Sequence, residues 1–128
     1  MRTGTRLCAA ASNPVPGRDR GAASIFVLAI GLVLVAAGIA GAAVGAARVG
    51  RHQARTAADL GALAGAVRAV EGVEVACRRA ERFVLANGAR MVSCRVEGLE
   101  IVIAVQVTVT PLPGLTRYAS AAARAGPV

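Results

Sequence analysis

Three cysteines, one histidine and seven carboxylates are the groups this 128-residue chain has for nucleophilic, metal-binding or acid–base chemistry. Their spacing supports little of it. His52 stands among Arg51, Gln53 and Arg55, and a metal site there would have no second imidazole, so it reads as a surface residue. Asp59, Glu71, Glu74 and Glu81 lie on helical stretches whose other charges are arginines, and Glu97 and Glu100 flank a tight turn. No spacing sets a general acid against its base. Gly38-Ile39-Ala40-Gly41 is glycine-rich but lies inside an apolar run, where it cannot cradle a phosphate. The chain reads as a non-enzyme, with no cofactor, no metal site and no small-molecule substrate. Cys8, Cys77 and Cys94 are an odd count, which excludes full pairing within one monomer.

The elements carrying Cys77 and Cys94 are the best defined. Val73, Ala76, Cys77, Ala80, Phe83, Val84 and Asn87 recur at helical steps, while Glu74, Arg78, Arg79, Glu81 and Arg82 take the other face. Glu74 precedes Arg78 by four residues, the favourable order for a surface ion pair. Asn87-Gly88 then supplies a helix end. Beyond Gly88 the period becomes two: Val92, Cys94 and Val96 form one face of a strand, and Ile101, Ile103, Val105, Val107 and Val109 one face of the next, with a hairpin turn at Gly98. Pro111-Leu112-Pro113-Gly114 ends that strand, and residues 116–125 return as a weaker third. Packing the helix on the sheet brings Cys77 toward Cys94. A bond between them would close a loop worth about 3 kcal/mol, a large share for a core with only Phe26, Phe83 and Tyr118 as aromatics in the whole chain. Free buried thiols are the alternative. A disulfide would place this domain outside the cytoplasm.

Ahead of it lies a different kind of sequence. Residues 1–20 carry Pro14, Pro16 and four arginines without apolar periodicity, the pattern of a disordered basic leader. Residues 21–47 hold no charge, a run of 27 residues. As a helix it would be about 40 Å long against a hydrocarbon core of about 30 Å, so it spans a membrane once. A cleaved secretory signal is the rival, with Arg18 and Arg20 as its basic flank and Ala40-Gly41-Ala42 as its cleavage site. The charged flanks are nearly balanced, so the positive-inside rule barely chooses an orientation, and the disulfide decides for a cytoplasmic N-terminus. Residues 48–70 turn amphipathic, with Val49, Leu60, Leu63, Val67 and Val70 as the apolar positions and Gly50, Gly61 and Gly65 as weak points. This stretch continues the membrane helix or bends near Gly50. The fold class is α+β: a transmembrane helix continuing into an amphipathic one, then, over residues 71–128, a second helix on an antiparallel sheet of two or three strands.

The net charge of +8 and pI near 11.4 invite a nucleic-acid partner. All 15 basic residues are arginine, however, in a chain rich in Ala and Gly, and none is interleaved with aromatics that would stack on bases. Solvated or lipid-facing arginines are the stronger reading. Within the apolar run, Gly31, Gly38 and Gly45 recur every seven residues and Ala37, Gly41 and Gly45 every four. In lipid, such rows admit a second helix at close range.

Arg18-Asp19-Arg20-Gly21-Ala22-Ala23-Ser24, the apolar run, and then Arg51-His52-Gln53-Ala54-Arg55-Thr56-Ala57-Ala58-Asp59-Leu60-Gly61-Ala62-Leu63-Ala64-Gly65-Ala66 resemble the TadE/TadG-like proteins of the Tad (Flp) pilus machinery. The likeness is strongest to short actinobacterial TadE-like members encoded beside a helicase and Tad secretion genes. It extends through the Cys77 segment, Ala86-Asn87-Gly88-Ala89-Arg90, Cys94 and the valine-rich strand to Ala123-Arg124-Ala125-Gly126-Pro127. The resemblance implies a pilin-like or pseudopilin-like structural subunit, held in the cytoplasmic membrane beside other pilus subunits through its N-terminal helix. It also implies cutting by a prepilin peptidase after Gly21, leaving Ala22 first and removing Cys8. Phe26 stands where such proteins carry Glu, which favours a minor, accessory or tip-like role. Two readings compete with it: a DNA-binding pseudopilin-like component of an uptake machine, and a small secreted protein.

Overall fold

The computed structural model describes residues 18–127, the first three by backbone alone. The described chain divides into two compact units, one up to Ala37 and one from Gly38 onward. Cys8 and the expected basic leader up to residue 17 lie outside the described residues. Residues 18–20, expected in that leader, are already helical.

The first element, α1, is a 49-residue helix, Arg18–Ala66. No proline falls between Pro16 and Pro111 to interrupt it. Every described side chain up to Ala37 is exposed, including Phe26, Leu28, Leu32 and Leu34. Among the described residues, Gly21–Ala66 is the one stretch long and apolar enough to cross a membrane. A helix suits that solvent because it satisfies its backbone hydrogen bonds internally.

In the second unit α1 passes through Gly50 as one helix, and there its buried face differs from the expected one. The helix ends at Ala66, short of the expected residue 70, and the apolar positions Val49, Leu60, Leu63, Val67 and Val70 are all exposed, Leu63 at 59% and Val67 at 77%. The buried stripe is Gly50, Ala54, Ala57, Ala58, Gly61, Ala62 and Gly65. These small residues keep helical spacing and let the helix axis come close to its neighbours, so the bulky residues are left facing outward. After a 3₁₀ turn at Ala69–Glu71 the chain enters α2, Val73–Ala86. Ala76, Ala80 and Val84 are its buried residues; Val73 and Phe83, expected on that face, are exposed. Asn87 and Gly88 close α2, with the Ala89 amide donating to the Val84 carbonyl at 3.1 Å and Gly88 at φ +71°. The surface pair Arg78–Glu74 forms at 2.8 Å.

The sheet is antiparallel, in the order β1 (Arg90–Glu97), β2 (Glu100–Leu112), β3 (Leu115–Ala125). Glu97 pairs with Glu100 around Gly98, whose φ of +65° opens the tight hairpin. The weaker third strand is a full partner, pairing Ile101 with Ala125 through Val109 with Arg117. Ile101, Ile103, Val105 and Val107 are buried toward the helices. One strand face departs from the expected alternation. The pairing slips between Met91 and Ser93, leaving Val92 as an extra residue at a β-bulge. Met91 therefore joins Cys94 and Val96 against the core, while Val92 is 55% exposed.

Candidate functional site

Three features of this frame offer chemistry or contact. The first is covalent. Cys77, on α2, and Cys94, opposite the fully buried Ile103, are joined as a disulfide with Cα atoms 6.0 Å apart. The bond ties α2 to the edge strand β1. It lies at the border of a core whose largest fully buried side chains, among the described residues, are Ile101, Ile103, Val84 and Val105, so the crosslink supplements a small apolar interior.

The second feature is the contrast between two sets of glycines on α1. A Cβ built on Gly61 would stand 2.6 Å from Val84 Cγ2 and 2.8 Å from Ile103 Cδ1; one on Gly65 would stand 2.5 Å from Ile101 Cδ1. A Cβ on Gly50 would collide with Val109 Cγ1. These glycines are the close approach of α1 to α2 and β2. Sequence reasoning treated them as weak points, although the steps linking Gly50, Ala54, Ala57, Ala58, Gly61 and Gly65 were the signal of a small-residue packing face. Gly31, Gly38, Gly41 and Gly45, the expected helix-packing row, have nothing within 4 Å of a built Cβ. Gly21 and Ala22, at the expected peptidase site, are likewise exposed within α1.

The third feature is a set of shallow surface hollows. One of about 370 Å³ lies between Leu60 and Leu63 of α1, Val67 just beyond its end, and Arg79 and Phe83 of α2, with the Arg79 guanidinium 4.9 Å from the Phe83 ring centre. Another, of about 260 Å³, is lined by Arg51 and Arg55 of α1 and Tyr118, Ala119 and Ser120 of β3. Among the described residues no charged side chain is buried, and no three His, Cys, Asp or Glu side chains gather as a metal site would need. His52 only lends its carbonyl to the Thr56 hydroxyl, at 3.1 Å. The Gln53 amide reaches the Asn87 carbonyl at 3.1 Å, fastening α1 to the end of α2.

Residues 21–68 match the family model described as "Putative Flp pilus-assembly TadE/G-like". A protein of Mycobacterium tuberculosis (strain ATCC 25618 / H37Rv), apoptosis inhibitor Rv3654c, is 43% identical over 54 residues, which make up 42% of this chain and 64% of that protein. The chain thus covers a little less than two thirds of that relative's length. No solved structure matches the chain. The likeness to TadE/G-like proteins of Flp pilus assembly thus rests on residues 21–68, the apolar helix and its packed continuation.

Proposed function

We propose that this protein is a pilin-like or pseudopilin-like accessory subunit of a Tad (Flp) type pilus or secretion system, without catalysis of its own. The observation that carries the reading is the coincidence of the family match, residues 21–68, with the apolar helix and the stripe that packs it onto the domain. The N-terminus lies in the cytoplasm, α1 crosses the membrane, and the disulfide-bonded domain lies beyond it, where the bond is stable. Gly38, Gly41 and Gly45 offer their open face to the membrane helices of other pilus subunits. A prepilin peptidase cuts after Gly21. Phe26, where a Glu would meet a neighbour's new amino terminus, fits an accessory place in the assembly.

Mass spectrometry of the protein from its native membrane tests this directly. The expected result is a mature chain beginning at Ala22, with Cys77 and Cys94 joined in a non-reducing peptide map after alkylation at lysis. A chain that begins at Met1 removes the cleavage, and both cysteines recovered alkylated remove the orientation. A cut near Ala42 supports a second reading, a small released protein. Steeply salt-dependent binding of duplex DNA by the mature protein would turn the argument toward an uptake machine.

A further inference from the structure

The β2–β3 hairpin runs beside α1 in the opposite direction: Ile101 meets Gly65, Ile103 meets Gly61, and Val109 meets Gly50. Beyond Val109 the strand continues to Leu112. Those three residues advance about 10 Å, the rise of six or seven residues of α-helix. Counted back from Gly50, that reaches the level of Ala43 and Val44, inside the uncharged run that ends at Ala47. Burial along α1 agrees. Ala43 and Ala46, on the same helix face as Gly50, are half-buried, whereas Ala40, Ala42 and Ala47 are exposed.

The hairpin tip has the composition for that level. From Val107 to Thr116 there is no charge, and Leu112, Pro113 and Leu115 are exposed. Charge returns at once behind the tip: Arg117 and the exposed Tyr118 stand on β3, and Arg51 and Arg55 face Tyr118 and Ser120 across the 260 Å³ hollow. Among the described residues none of these three arginines has a carboxylate partner. An apolar tip backed directly by unpaired guanidinium groups and an aromatic ring matches the step from acyl chains to an interface where rings and phosphates lie together.

We infer that the β2–β3 hairpin tip is a second membrane contact: Leu112 and Leu115 enter the leaflet that α1 leaves at Ala47, while Arg51, Arg55 and Arg117 bind the phosphates of its lipid headgroups. This rests on α1 spanning the membrane. It fixes the domain against the bilayer surface at two points.

The chain has no tryptophan, so single reporters can be placed in the full-length protein. Leu34→Trp, Leu115→Trp and Leu99→Trp are reconstituted separately in phosphatidylcholine–phosphatidylglycerol vesicles containing lipid brominated near the headgroup end of the acyl chains. Leu99 lies in the β1–β2 turn, about 40 Å along β2 from the tip. The expected result is quenched, blue-shifted emission from Leu34→Trp and Leu115→Trp, and unquenched aqueous emission from Leu99→Trp. A quenched Leu34→Trp with Leu115→Trp as unquenched as Leu99→Trp overturns the hairpin contact and leaves the membrane span standing. An unquenched Leu34→Trp overturns the span and the contact together. Adding Arg51→Gln and Arg55→Gln to Leu115→Trp should weaken its quenching; unchanged quenching overturns the arginines' part.

Discussion

Two stretches of one helix use the same residue types for different ends. Around Gly31, Gly38, Gly41 and Gly45, glycine and alanine meet nothing in the chain. Around Gly50, Gly61 and Gly65 they are the seam on which the domain is built, with Val84, Ile101, Ile103 and Val109 pressed against the helix axis. Small residues give a helix the ability to be approached closely. What approaches depends on the rest of the chain: a sheet and a second helix beyond Gly50, and, in the function proposed here, another subunit before Ala47. The comparison also reverses the usual reading of an amphipathic helix. From Gly50 to Gly65 the inside is small and the outside is large.

The greatest expected effect comes from filling the packed seam. Gly61→Leu or Gly65→Leu should destabilise the domain by about 3 kcal/mol, near the limit of what so small a core survives. Denaturant unfolding in detergent, followed by circular dichroism, would read it, and a wild-type midpoint would show that the seam yields. The disulfide comes next. Replacing both Cys77 and Cys94 by Ala should cost about 3 kcal/mol where the seam is intact, seen as a matching loss in the same unfolding curve; no loss would mean that apolar packing alone holds α2 to β1. In the open row, Gly41→Leu with Gly45→Leu should leave that curve unchanged while lowering self- or partner association in a membrane two-hybrid assay. Undiminished association would break the comparison at its other end. The smallest effect is expected outside. Leu63→Gln should change stability by no more than about 0.5 kcal/mol, because the side chain is exposed; a loss several times larger would place Leu63 back in the core.

Much of this fold was legible because its signals are local. The period-2 run from Ile101 to Val109, the turn at Gly98 and the helix end at Asn87-Gly88 stand in the structure as the spacing predicts. The Cys77–Cys94 bond was legible for a related reason, since two periodicities each put a sulfur on the face that must meet the other. Val92 was not, because a bulge inserts one residue into the count, so the alternation that holds at Cys94 and Val96 does not extend back through Val92 to Met91, and nothing in Met91-Val92-Ser93 marks it. The buried face of α1 was misread on size. Hydrophobic side chains were taken as the inside, but at the closest approach of a helix to a sheet there is no volume for them.

By itself, then, the sequence determined the kinds of element, their order, the long uncharged segment and the pair of cysteines, since each depends on residues near one another along the chain. Only the tertiary structure decided which row of small residues on α1 is a packing seam and which stays open. The two rows are alike in residue type and helical spacing, and they differ only in what the folded chain brings to within 4 Å.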